Sequence, residues 1–300
     1  MSAEGRAPLV WVVVLNWNGA PVIRECLDSL LAMDYPNFRV MVVDNASSDG
    51  SAETVALDYP GVKLLRMERN LMYAGGNNAG IAAALEMGAE AVMLINNDTR
   101  AAPSMLTELV RVLEGGAGIG VVGPKIFYYD RPDVIWSAGG KVFVPLGLVH
   151  HIGIRRADSG RYDSVREVDY LTGCCLLMDA PAIRSVGLLD TSYTIYSEDV
   201  DWCLRARAAG FKVLLAPDAR LWHKVSFSSG GGLTAFKAYY KMRSNVLICR
   251  RFARPAHRLI WPPATAGWAL VMAAVQALRG RGRAAWAFLR GWAAGLTATL

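Results

Sequence analysis

The sequence predicts an α/β fold built on a doubly wound, mostly parallel sheet flanked by helices. Two apolar runs point to it first: Phe38-Arg39-Val40-Met41-Val42-Val43 leads into Asp44, and Ala91-Val92-Met93-Leu94-Ile95 leads into Asn96-Asn97-Asp98. Runs of β-branched and aliphatic residues without polar alternation suit strands that helices cover on both faces. The third observation is order, because strand, turn-rich loop and helix recur along the first hundred residues.

Residues 9–15 read as the first buried strand, and Asn16-Trp17-Asn18-Gly19 as the loop leaving it for an amphipathic helix over 21–32. After the strand ending at Asp44, the loop 44–51 is rich in Asn, Ser, Asp and Gly, a short helix covers 52–57, and 62–65 form a third strand. A helix over 76–87 precedes the strand that ends at Asp98, and another covers 103–113. Residues 119–170 mix short apolar runs with Gly, Pro and aromatics, and no period orders them. Residues 172–178 read as a buried strand, 181–186 as a short helix, 199–209 as a helix stopped by Gly210, and 211–215 as a strand stopped by Pro217.

Beyond Gly230-Gly231-Gly232, read as a hinge, residues 235–252 form a basic amphipathic helix. The chain therefore divides into a catalytic-type domain, 1–234, and a basic helical region, 235–300. Residues 259–278 carry no charge and are long enough to cross a bilayer. Pro262-Pro263, the many Ala and Gly residues and the basic flanks on both sides favour a segment lying in the membrane interface, with spanning and soluble packing as the alternatives.

Charge separates the two regions further. Of 32 Lys and Arg against 26 Asp and Glu, eleven bases and no acid fall in 235–300, leaving 21 bases against 26 acids before them. An acidic body argues against nucleic acid as a partner, whereas a basic tail suits anionic lipid. Five cysteines without a C-x-x-C pair indicate neither a disulfide framework nor a zinc site. The first eight residues hold no apolar core of signal length, so a cytoplasmic setting is expected.

In an open α/β sheet the ligand crevice lies at the carboxyl ends of the strands. Asp44 at one end is placed to hold a nucleobase or ribose, with turn formation as the alternative, and Asp98 at another to hold a divalent cation. A third stretch, Glu198-Asp199-Val200-Asp201-Trp202, opens a helix with three acids, which either complement its dipole or do chemistry. A fourth, Leu221-Trp222-His223-Lys224, offers an imidazole that is either structural or a metal ligand. Trp136 and Trp202 either stack on a sugar or fill core.

Taken together and in order, these stretches resemble the inverting glycosyltransferases of family 2, which have the GT-A fold, and most closely their bacterial rhamnosyltransferase-like branch. The resemblance runs over residues 9–229. Val13 through Gly19 matches the opening strand and Asn-aromatic-Asn loop, Val43 through Ser51 the nucleotide-base loop, and Asn70 through Gly80 the donor segment. Leu94-Ile95-Asn96-Asn97-Asp98 matches the metal motif, while Gly187-Leu188-Leu189-Asp190, Glu198 to Gly210, Pro217 and His223 match the acceptor and catalytic half. Met72 departs from the pattern, standing where the family commonly has Gly, and Met178-Asp179 replaces a basic pair often found after the acceptor strand.

The resemblance implies Asp199 as the general base, and Asp98 with His223 as ligands of Mg²⁺ or Mn²⁺. It implies donor contacts from Asn16, Asn18, Asp44, Asn70, Gly76, Asn78, Asn96, Asn97 and Asp98. Thr172, Gly173, Glu198, Asp201 and Trp202 are expected on the acceptor side. The implied donor is dTDP-rhamnose and the implied acceptor a polyprenyl-diphosphate-linked saccharide, met at the cytoplasmic face of the cell membrane in cell-wall or surface polysaccharide synthesis. The amphipathic C-terminal helices are equally suited to a homo-oligomer. A sugar nucleotidyltransferase and an inactive sugar-nucleotide-binding assembly subunit are the rival readings.

Overall fold

The computed structural model describes residues 6–225 and 232–299. Its first half runs β1 (Val10–Asn16), α1 (Ile23–Leu31), β2 (Phe38–Asp44), α2 (Ser51–Asp58), β3 (Lys63–Arg66), α3 (Met72–Glu86), β4 (Ala91–Asn96), β5 (Thr99–Ala101) and α4 (Met105–Leu113). Six strands follow: β6 (Ile119–Tyr128), β7 (Arg131–Ser137), β8 (Gly140–Phe143), β9 (Leu148–His151), β10 (Arg156–Ala157) and β11 (Arg166–Glu167). Then come β12 (Cys175–Asp179), α5 (Ala180–Val186), α6 (Glu198–Ala208), β13 (Lys212–His223), α7 (Ala235–Phe252), α8 (Trp261–Leu278) and α9 (Gly282–Thr297).

The main sheet has the order β10-β7-β6-β12-β4-β1-β2-β3, and β13 joins it beside β6 while also pairing with β5 and β11. Strands β3, β2, β1 and β4 are parallel, whereas β12 runs antiparallel to both β4 and β6. Because β1 takes β2 on one side and β4 on the other, the connections reverse direction there and leave a crevice at its carboxyl end. Register places Asn16 opposite Asp44 and Leu15 opposite Asn96, so the polar residues that end the three strands share one row.

The period of two in β1 divides the core. Val10, Val12 and Val14 join Leu27 and Leu30 of α1 and Leu106 and Leu109 of α4 on one face, while Val13 joins Ile81 and Ala84 of α3 on the other. Close approach of α3 depends on glycine, since an added Cβ at Gly80 would collide with Val13 and Val43. Gly80→Ala is accordingly expected to cost about 1–3 kcal/mol by overpacking, read as a lower midpoint in urea at unchanged slope.

The structure departs from the sequence reading at several places. The helix expected over 76–87 starts four residues earlier at Met72, and the strand expected over 172–178 begins only at Cys175. Strand β13 does not stop at Pro217: its register with β6 shifts between Ala216 and Arg220, and this irregularity accommodates the proline so that one strand continues to His223. The prolines at 262 and 263 lie in the first turn of α8, where a missing N–H costs nothing, and so start the helix instead of breaking it. Gly230 and Gly231 of the expected hinge lie outside the described residues. No helix among the described residues is long and apolar enough to cross a membrane, so the spanning alternative for 259–278 is set aside. All five cysteines are free and buried.

Helices α7, α8 and α9 share a small core of Ala238, Met242, Val246, Ala269, Ala284 and Phe288. Leu247 and Ile248 of α7 also join the core beneath the sheet.

Candidate active site

The row of strand ends is tied together by a buried amide and carboxylate network. Asn16, with no solvent exposure, donates from Nδ2 to Asp44 Oδ1 at 3.1 Å and to Ser51 Oγ at 2.9 Å, and its Oδ1 accepts from Asn97 Nδ2 at 2.8 Å. Ser47 N–H donates to the other Asp44 oxygen at 3.1 Å. Asn16 and Asn97 are therefore spent on positioning the crevice, while Asn18 is exposed and orders the 47–48 turn by accepting from Ser48 N–H at 2.9 Å. Asn18 and Ala46 both have positive φ, which keeps this loop tight around the end of β2.

The start of α3 is built in the same way. Asn70 Oδ1 accepts from Met72 N–H at 2.7 Å and Asn45 Oδ1 from Leu71 N–H at 2.8 Å, so the two amides satisfy donors at the start of α3. Met72 lies at φ +61°, the left-handed region that glycine enters at least cost. Gly76 is small for packing, because a Cβ there would collide with Leu15. Asn78 reaches across to the acceptor half, donating to Leu189 O at 2.8 Å and accepting from Leu189 N–H at 3.0 Å.

Asp98 and His223 lie together in the structure. His223 ends β13, which pairs with β5 directly after Asp98, and its Nε2 stands 3.2 Å from Asp98 Oδ1. Both side chains are buried. A carboxylate and an imidazole suit Mn²⁺ or Mg²⁺. Among the described residues no group of three or more His, Cys, Asp and Glu is arranged to hold a metal ion. A cation there would draw its remaining ligands from diphosphate oxygens and water.

Asp199 is tied to the end of β4 through the segment just ahead of β12. Its Oδ2 accepts from Gly173 N–H at 2.6 Å and its Oδ1 from Val200 N–H at 2.7 Å, while the next residue, Cys174, accepts from Asn96 N–H at 3.1 Å. Gly173 is required here, since a Cβ would stand 2.6 Å from Tyr73 Oη, which itself donates to Gly173 O at 2.5 Å. Thr172 is buried behind it and accepts from Cys174 N–H at 3.4 Å. Thr194, Tyr196 and Ser197 all adopt positive φ just ahead of α6, a concentration of backbone strain that sites tend to hold.

Burial raises the proton affinity of Asp199, against the lowering effect of its backbone N–H donors. Glu198 is raised further, first by burial and then by the charge of Asp199, and its Oε2 has no hydrogen-bond partner among the described residues. A carboxyl whose folded pKa exceeds its unfolded value stabilises the fold fully below the unfolded pKa and loses that contribution as pH rises. Wild-type stability should hence fall from about pH 4.5 upward through the raised Glu198 pKa. Glu198→Gln should flatten that slope, as measured by urea midpoints across the range.

Two residues expected on the acceptor side are instead core. Trp202 has no exposed surface and donates from Nε1 to Gly187 O at 2.8 Å. Asp201 is equally buried and pairs with Arg205 at 2.7 Å and Arg251 at 3.0 Å while accepting from Tyr193. Trp202 belongs to the core cluster of Ile183, Leu189 and Tyr193, and the charges of Arg205 and Arg251 hold Asp201 there.

Sequence reasoning missed His151 of β9, which lies in the stretch without a period. Its Nδ1 is 3.1 Å from Ser137 Oγ, and its ring lies 4.8 Å from Trp136 and 5.8 Å from Tyr170. Trp136 in turn lies T-shaped to His223 with ring centres 4.7 Å apart, so an aromatic wall backs this imidazole. Burial pulls the His151 pKa down to about 4, with Lys241 of α7 and the other imidazoles adding to it, and keeps the ring neutral. The scarcity of histidine, four in the chain, is the one sequence signal that singles it out.

The sequence model described as glycosyltransferase like family 2 matches residues 7–243. An uncharacterized protein, y4gI, of Sinorhizobium fredii is 31% identical over 83% of this chain, which spans only 29% of that protein's length. The N-acetylglucosaminyl-diphospho-decaprenol L-rhamnosyltransferase of Mycobacterium tuberculosis is 28% identical, covering 80% of this chain and 84% of the relative. Among solved structures, the mannosyltransferase PcManGT from Pyrobaculum calidifontis, in complex with GDP-Man and Mn²⁺, superposes with a TM-score of 0.62 at 17% identity over 98% of this chain and 88% of that one. The fold is GT-A, and the chain belongs to the family described as glycosyltransferase like family 2.

Proposed function

We propose that the chain moves rhamnose from dTDP-rhamnose, with inversion, to a polyprenyl-diphosphate-linked saccharide at the cytoplasmic face of the cell membrane. The observation that supports this reading is the meeting of Asp98 with His223 at the strand ends, with the Asp199 carboxylate held by Gly173 N–H two residues ahead of β12. Asp44 accepts hydrogen bonds from the base or ribose, and the Asn16, Asn97 and Ser47 network holds the loop that receives them. Asp98 and His223 would hold Mg²⁺ or Mn²⁺, which neutralises charge on the departing diphosphate.

Asp199 takes the proton of the acceptor hydroxyl as its oxygen bonds to the anomeric carbon and the carbon–phosphate-oxygen bond breaks on the opposite face. The raised proton affinity of Asp199 suits a base that must capture a hydroxyl proton. The rhamnose and lipid assignments rest on the mycobacterial relative's name and on the surface of the C-terminal helices. Helix α8 buries Thr265, Ala269, Ala273 and Gln276 and leaves Leu270 and Val271 exposed, so its apolar residues face outward. With the basic flanks at Arg258 and Arg279, that face suits a peripheral site on anionic lipid.

The test is turnover by the purified chain with Mn²⁺ or Mg²⁺ and radiolabelled dTDP-rhamnose. Label moving into a prenyl-diphosphate saccharide, with the anomeric configuration inverted, is expected. Activation with another nucleoside diphosphate sugar alone would overturn the donor, and no consumption of any would overturn the transferase reading.

A further inference from the structure

Helices α7 and α9 enclose a cavity of about 420 Å³ that the catalytic reading does not use. Phe236, Tyr239 and Tyr240 line it from α7, and Arg283, Trp286 and Arg290 from α9. The spacing is that of single helix faces, with two arginines one turn on either side of a tryptophan. The rings of Phe236 and Tyr240 stand 4.6 Å apart and those of Tyr239 and Tyr240 4.9 Å apart, giving a continuous aromatic floor. Trp286 is 63% exposed and Phe236 49% exposed, so the cavity opens to the surface.

Charge distinguishes this cavity from an ordinary gap between helices. Residues 235–300 contain no acid, and among the described residues neither Arg283, Arg290 nor Lys241 has a carboxylate partner. Lys241 follows Tyr240 directly, and its ammonium lies 5.4 Å from the ring centre of Tyr196, three residues before Asp199. The cavity therefore sets cations without a carboxylate partner beside aromatic rings. A ligand that fills it must carry both anionic and hydrocarbon parts. Guanidinium forks match phosphate oxygens two at a time, and the aromatic floor matches a chain too apolar for water.

We propose that this cavity binds the diphosphate and first prenyl units of the lipid-linked acceptor, with Arg283 and Arg290 on the phosphates and Phe236, Tyr240 and Trp286 against the chain. The proposal rests on the lipid-linked acceptor reading above and adds to it a site on residues outside the catalytic cleft.

The experiment measures binding of farnesyl diphosphate to the full chain by isothermal titration, with inorganic pyrophosphate and farnesol as half-ligands. Phosphatidylglycerol vesicles serve as the surface control. Farnesyl diphosphate should bind at least about tenfold more tightly than either half-ligand, and R283Q/R290Q should weaken it at least about tenfold, since each charged hydrogen bond contributes that order. Trp286→Ala should weaken it comparably, although both variants should melt like wild type because these side chains are exposed. Equal binding by wild type and variants, or parity with the half-ligands, would overturn the site. A loss confined to the vesicles would assign these residues to the bilayer surface and overturn it as well. Donor hydrolysis without acceptor, read from dTDP release, should survive in R283Q/R290Q. Absent dTDP-rhamnose turnover beside arginine-dependent farnesyl diphosphate binding would instead mark failure of the transferase reading alone.

Discussion

Asp199→Asn is expected to lower the rate of sugar transfer by about 10²–10⁴-fold, the span that a positioned general base contributes. The amide keeps the shape and still accepts from Gly173 N–H through its oxygen, so the strained approach to α6 and the aromatic wall should stay in place. What it loses is the capacity to take a proton. Donor and metal affinity, measured by titration calorimetry, should match wild type, because the substitution leaves the Asp98 and His223 side untouched. Near-normal transfer by this variant would move the role to Glu198, the one neighbouring carboxyl with an oxygen lacking a partner among the described residues. In wild type the acid limb of kcat/KM should lie above the ordinary Asp value of 3.8, since burial raises Asp199.

Asp98→Ala is expected to remove metal-stimulated turnover, a loss of several kcal/mol in transition-state stabilisation and so on the order of 10³-fold or more in rate. With only a carboxylate and an imidazole from the protein, loss of the carboxylate leaves a single neutral ligand, and diphosphate oxygens alone then hold the ion. Manganese affinity in the presence of dTDP should fall with it, whereas dTDP affinity without metal should change little, because Asp44 and Asn16 hold the nucleoside loop independently. Undiminished activity in Asp98→Ala would contradict the assignment of this residue.

Much of this arrangement was legible because the sheet is built from continuous apolar runs. A run that ends on Asp44 or on Asn96-Asn97-Asp98 declares both a buried strand and the polar residue at its carboxyl end, and parallel register then sets those ends in one row. Order along the chain supplied the family, and with it the pairing of residues 98 and 223 across more than a hundred positions. The same reasoning misjudged residues whose role depends on which way a helix turns. Asp201 and Trp202 neighbour Asp199 in sequence yet are buried in the core.

The stretch 119–170 was opaque for a different reason. Its strands β7 to β11 are short, antiparallel or paired only at edges, so no uninterrupted run or helical period marks them. His151 and the position of Trp136 were lost with it. Pro217 misled because a proline normally ends a central strand, and only the register shift beside β6 lets β13 continue to His223.

The central claim is that Asp98, Asp199 and His223 surround a single sugar diphosphate. A crystal structure of the chain with dTDP-rhamnose and Mn²⁺ tests it directly. The cation should be bonded to Asp98, His223 Nε2 and the diphosphate, and the Asp199 carboxylate should face the anomeric carbon from the side opposite the leaving oxygen. A cation bound away from Asp98 and His223, or an Asp199 side chain turned from the sugar, would contradict it.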